Sequence, residues 1–130
     1  MMEQTKVADN TAIYQAVSDY YEGWYTPNPK QMEQCLHPDL AKRAIKHDGN
    51  GKEYLLHLTK DVMLDATRKG GGSDALAGKK NWTIIILDSY EEIATVKVLC
   101  PEYVEYIHLA RQDGQWRIVN VIYTNPRNNS

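Results

Sequence analysis

Apolar residues recur at spacings of three and four through Ile13, Ala16, Val17, Tyr20, Tyr21 and Trp24. That period predicts a helix from Thr11 to Trp24 with one buried face, capped by Asn10 and stopped by Pro27. Asn28 with Pro29 and Gln31 announces a second, short helix, in which Met32, Cys35 and Leu36 form the apolar stripe. His37-Pro38 ends it. Leu40 to Lys46 reads as a modest strand, Asp48-Gly49-Asn50-Gly51 as a turn, and Tyr54 to Leu58 as a brief extended piece. Thr59 caps a third helix that closes on Arg68-Lys69 and Gly70. Gly70 to Lys80 is polar and glycine-rich, and is expected to be a mobile surface loop.

From Trp82 onward the pattern changes to strands. Trp82 to Tyr90 and Ile93 to Cys100 flank Glu91-Glu92 as one hairpin. Tyr103 to Gln112 and Gln115 to Thr124 flank Asp113-Gly114, a strong two-residue turn signal. If Gln112 pairs with Gln115 and the strands run on without interruption, one face carries Glu105, Ile107, Leu109, Trp116, Ile118, Asn120 and Ile122. The other face then carries Tyr106, His108, Val119, Val121 and Tyr123. Both faces are rich in large apolar groups, yet three short helices can cover only one. The Trp116 side is assigned to the internal core because its groups are bulkier. The outer side is left for a symmetric partner, so a homodimer through Tyr106, His108, Val119, Val121 and Tyr123 is expected. Glu105 and Asn120 among the inward groups need partners or a cavity, and that is the best pocket signal in the chain.

The totals set outer limits. The 130 residues suit one domain, taken as 1–130 with order expected from about residue 8 to 125. A net charge of −2 offers no attraction to nucleic acid or an anionic membrane, so neither is an expected partner. Basic pairs such as Lys42-Arg43 are read as parts of a solvated, mixed-charge surface. Two cysteines, Cys35 and Cys100, make no disulfide framework. The N-terminal residues lack the apolar core of a signal peptide, and no apolar run reaches roughly 20 residues, so a cytoplasmic home is the expectation.

Four stretches carry a family resemblance: residues 20–25 (Tyr-Tyr-Glu-Gly-Trp-Tyr), residues 36–43 (Leu-His-Pro-Asp-Leu-Ala-Lys-Arg), Ile93 to Val98 and Tyr106 to Ala110. With the order of elements and the closing Asp113-Gly114-Gln115-Trp116, the chain resembles the nuclear transport factor 2-like superfamily. Within it the chain is similar to the SnoaL-like group and to the family described as putative lumazine-binding. The resemblance implies an α+β cone, with three N-terminal helices packed on a curved antiparallel sheet around an apolar pocket. It also implies dimerisation through the outer sheet face.

Ketosteroid isomerase-like members of that superfamily use a tyrosine on the first helix, a carboxylate on the next strand and a protonated acid across the pocket. Tyr20 stands where the tyrosine would, but Leu40 to Lys46 holds no carboxylate, since Asp39 comes too early and Asp48 falls in the turn. Glu105 could serve as a displaced acid or base if buried. An unpaired glutamate is seldom fully buried, however, so its expected place is the solvent rim. The histidines His37, His47, His57 and His108 show no ligand spacing, and neither a metal nor another cofactor is expected. The glycine runs at Gly49 and Gly70 fit no phosphate loop and are read as flexible turns. The leading functional expectation is a small-molecule-binding protein. Its pocket for an apolar or aromatic ligand would be lined by Tyr20, Trp24, Met63, Glu105, Trp116 and Asn120. The alternatives are an isomerase, dehydratase or cyclase using Tyr20 and Glu105, and a structural dimeric adaptor that needs no pocket.

Overall fold

In a computed structural model of the chain, Asp113 and Gly114 adopt positive φ angles of 54° and 78°, the twist a two-residue hairpin turn requires. The structure describes residues 2–73 and 81–127; of residues 2–5 only the backbone is described. Part of the expected surface loop (residues 74–80) and the last three residues of the tail lie outside that range.

The elements are α1 (Met2–Tyr25), α2 (Pro29–Cys35), β1 (Leu36–His47), β2 (Glu53–Leu58), α3 (Lys60–Arg68), β3 (Thr83–Tyr90), β4 (Ile93–Leu99), β5 (Val104–Gln112) and β6 (Gln115–Thr124). The strands form one curved, unclosed sheet in the order β2-β1-β6-β5-β4-β3. Every neighbouring pair is antiparallel except β1 and β6, which run parallel. The helices cover one face, giving the α+β cone.

Asn28 Oδ1 accepts the Gln31 N–H at 3.1 Å and Thr59 Oγ1 accepts the Val62 N–H at 3.3 Å, so both caps form where the sequence puts them. Asn10 is not a cap: α1 starts eight residues earlier, at Met2, and Asn10 lies within it. The reason is tertiary. Asp9 accepts from Arg111 Nη1 with both carboxylate oxygens, at 2.9 and 3.0 Å, and from the Trp116 indole N–H at 3.1 Å, which ties this part of the helix to the last hairpin.

Trp116 is buried beneath α1, as the choice of inner face requires. The register changes beyond it. Leu109 pairs with Ile118, but His108 pairs with Asn120, so Val119 is an extra residue in β6. A bulge of this kind moves every later side chain to the opposite face. Val121 and Tyr123 therefore turn inward and are buried, whereas Asn120 and Ile122 turn outward and are exposed. An uninterrupted ladder would have placed all four the other way round.

Candidate functional site

Glu105 sits in β5 two residues before inward-facing Ile107, and it is only 2% exposed. The expectation of a solvent-rim glutamate fails because the carboxylate has partners that the sequence pattern did not connect to it. Tyr20 donates to its Oε2 at 3.3 Å, Tyr21 donates to its Oε1, and the Lys42 ammonium lies 3.6 Å from Oε2. Lys42 in turn donates to the Tyr20 hydroxyl oxygen. Two tyrosines from adjacent positions of α1, a lysine from β1 and a glutamate from β5 thus make one closed polar cluster in an apolar interior. Buried ions persist only when paired and hydrogen-bonded in this way.

Lys42 corrects a second expectation, that of a solvated surface cation. Leu40, Lys42 and Ala44 alternate on the buried side of β1, and Lys42 is 7% exposed. Its ammonium lies 4.9 Å from the ring centres of both Tyr20 and Tyr123, and Lys46 faces the same Tyr123 ring at 5.3 Å. Burial lowers the Lys42 pKa, with Lys46 adding to the effect and Glu105 opposing it. Burial and then the negative charge of Glu105 raise both Tyr20 and Tyr21 well above the usual tyrosine range, so both hydroxyls stay protonated as donors. Tyr123 is pushed up to about 12, again chiefly by burial.

A half-enclosed cavity of about 80 Å³ opens above this cluster. Tyr20, Tyr21, Lys42 and Glu105 form one wall; Tyr103 and Tyr123 stand beside them; Trp24, Leu58, Met63 and Ala66 complete it. Of the residues expected from the sequence, Tyr20, Trp24, Met63 and Glu105 come together here. Trp116 does not reach the cavity, because its indole is engaged with Asp9 at the hairpin end of the cone. Asn120 is on the outer face, turned there by the bulge, with its side-chain nitrogen 3.4 Å from His108 Nδ1. Tyr21, Lys42, Tyr103 and Tyr123 were missed. The alternation around Lys42 was a usable signal; nothing in a single sequence marks the bulge that brings Tyr123 inward.

A larger concavity, about 360 Å³, lies on the opposite side of the sheet, among Tyr90, Ile93, Thr95, His108, Val119 and Asn120. It holds no buried ion pair, and the concentrated chemistry belongs to the inner cavity. Of the residues expected on the outer face, Tyr106 and His108 are exposed there and Val119 is half-buried at the bulge. Val121 and Tyr123 belong to the interior instead. Among the described residues no cluster of three or more His, Cys, Asp or Glu could hold a metal ion, and no helix is long and apolar enough to cross a membrane.

The glycine run after α3 is more than a flexible turn at its start. A Cβ on Gly71 would lie 2.6 Å from Trp24 Cη2, and one on Gly72 would lie 2.6 Å from Trp24 Cδ1 and Nε1. The bare backbone is what lets it lie flat on the indole that borders the cavity. Gly72→Ala is therefore expected to cost about 1–3 kcal/mol through overpacking. A urea midpoint equal to that of the parent protein would show that Trp24 is free to move aside.

A family model described as putative lumazine-binding matches residues 8–124. Solved structures with the same fold include a nuclear transport factor 2-like protein of unknown function from Silicibacter pomeroyi, 16% identical, with a TM-score of 0.72 over 93% of this chain and 98% of that one. Another, from Shewanella baltica, is 16% identical with a TM-score of 0.68 over 94% and 97%. A third, from Novosphingobium aromaticivorans and described as having a cystatin-like fold, is 10% identical with a TM-score of 0.68 over 99% and 89%. No curated protein matches the chain.

Proposed function

The chain belongs to the family described as putative lumazine-binding, within the nuclear transport factor 2-like fold, and from that premise we propose that it is a small-molecule-binding protein. The observation that carries this reading is the cavity wall made of a buried Lys42–Glu105 pair and two tyrosine hydroxyls. Lysine and glutamate cancel each other's charge. An anionic ligand would meet Glu105 and a cationic one would meet Lys42, so a neutral ligand fits best. Tyr103, Tyr123 and Trp24 offer ring surface, which favours a flat, conjugated molecule. Its hydrogen-bond acceptor would point at Lys42 and Tyr20.

Size narrows the class. A dry cavity of roughly 150 Å³ accepts benzene, so a cavity of about 80 Å³ holds at most part of a single ring until the mouth widens. Met63 is the adaptable wall and Trp24, held by the glycines, the fixed one. A two-ring lumazine would require Met63 and Leu58 to swing away. The test is a thermal-shift series over single-ring carbonyl compounds, pterins and flavins, with Lys42→Met beside the parent protein. A ligand at 100 times its Kd adds about 2.7 kcal/mol, which is several degrees for a domain of this size. The same ligand should lose most of that shift in Lys42→Met. No shift in any class at millimolar concentration would overturn the reading.

Catalysis is the second reading, and the Tyr20–Glu105 contact favours it. Tyr20 would donate to a ligand carbonyl while Glu105 took up a proton. Against it, Glu105 already accepts from Tyr20 and Tyr21 and is ion-paired with Lys42, so each of its oxygens is engaged before a substrate arrives. Its mark would be deuterium entering from solvent beside the carbonyl of a bound ketone.

The homodimer is likewise proposed. Ile85, Ile93, Tyr106 and Ile122 are each at least 40% exposed on one sheet face, an apolar surface that a second copy would cover.

A further inference from the structure

Three features converge on the Lys42 Nζ. It borders a cavity that opens outward. A second cation, Lys46, shares the Tyr123 ring with it. Two proton-exchanging groups, the Tyr20 hydroxyl and the Glu105 carboxylate, touch or face it. Lysines become nucleophiles when an apolar wall and a neighbouring cation disfavour the ammonium form, and imine formation then needs a proton relay within reach. From this arrangement we infer that Lys42 forms a reversible imine with small aldehydes or ketones that enter the cavity.

The inference rests on the binding reading above and names the ligand class of that same site. The chemistry balances without any redox partner. Glu105 takes one proton from the Lys42 ammonium, and the freed lone pair attacks the carbonyl carbon. The C=O π pair moves to oxygen, which takes up that proton through Tyr20, giving a carbinolamine. A second proton passes from nitrogen to oxygen, the C–O bond breaks and water leaves. Lysine ammonium plus carbonyl thus gives protonated imine plus water, with one positive charge on each side. Burial, which lowers the Lys42 pKa, enlarges the amine fraction available at neutral pH.

Benzaldehyde with sodium cyanoborohydride at neutral pH tests this, because reduction fixes the imine as a benzyl group. The labelled lysine is read by peptide mass spectrometry. Lys42 is expected to be labelled at least about ten times faster than the exposed Lys30 and Lys52, a modest part of the roughly 100-fold or more that a positioned proton relay contributes. Tyr20→Phe, which keeps the ring and removes the relay, should slow Lys42 labelling and leave Lys30 and Lys52 unchanged. Benzyl alcohol has nearly the same shape but cannot form an imine, so its thermal shift reports binding alone. If benzyl alcohol binds while Lys42 is labelled no faster than Lys52, the imine is excluded and the binding reading stands. If neither compound binds and Lys42 stays unlabelled, both fall together.

Discussion

Replacing Glu105 with leucine is expected to cost about 3–5 kcal/mol of folding stability, read as a lower midpoint in a urea titration. The loss has an identifiable origin. Lys42 would be left in the interior without its counter-ion, and the Tyr20 and Tyr21 hydroxyls would lose their acceptor. Leucine fills most of the glutamate's volume, so the cost is one of unpaired polarity and not of an empty space. A companion variant separates stability from function. Changing Tyr20 and Tyr21 to phenylalanine, Lys42 to methionine and Glu105 to leucine together removes every polar member of the cluster. Apolar replacement of a complete buried ionic group is often neutral or stabilising. The fourfold variant should therefore recover most of the lost stability while binding none of the ligands that the parent protein takes. Should it prove as unstable as the single substitution, the cluster is a structural fastening and the case for a ligand site weakens.

The second large effect concerns assembly. Ile122→Asp should convert the proposed dimer to a monomer, halving the mass seen by sedimentation at micromolar concentration. Ile122 is 51% exposed, pairs across the ladder with Tyr106, and lies on the apolar outer face. An aspartate there would have Arg43 beside it on β1, but the contact would still take both charges out of water in each of the two copies, and symmetry doubles the penalty. The substitution touches nothing in the cavity, so ligand binding should survive it. A parent protein that already sediments as a monomer would remove the premise. A dimer that persists in Ile122→Asp would place the contact elsewhere.

How much of this was legible in the sequence depends on which force decided each residue. The helical faces of α1 and α3, both caps, the two hairpin turns and the inward Trp116 all follow from periodicity and turn chemistry, which are local. The start of α1 did not follow, because Asp9 is fixed by Arg111 and Trp116, more than 100 positions away in the chain. The site was half legible. Tyr20, Trp24 and Met63 lie on helical stripes, and Glu105 stood out as a carboxylate among apolar neighbours. Lys42 was hidden because charge alone argues for solvent, and only a partner from β5 makes its burial tolerable. Asn120, Val121 and Tyr123 were misassigned for one reason, the extra residue at Val119. A bulge costs little, carries no compositional mark here, and reverses everything downstream of it.

That reversal splits β6 into two phases. Up to Ile118 the even-numbered positions are the intolerant ones; from Val121 the odd-numbered ones are. A charge is thus acceptable at Arg117 and at Asn120, three positions apart, but not at Ile118 or Val121. Substitution data along this strand would look contradictory under a single alternating rule, and become orderly once the phase is switched at Val119.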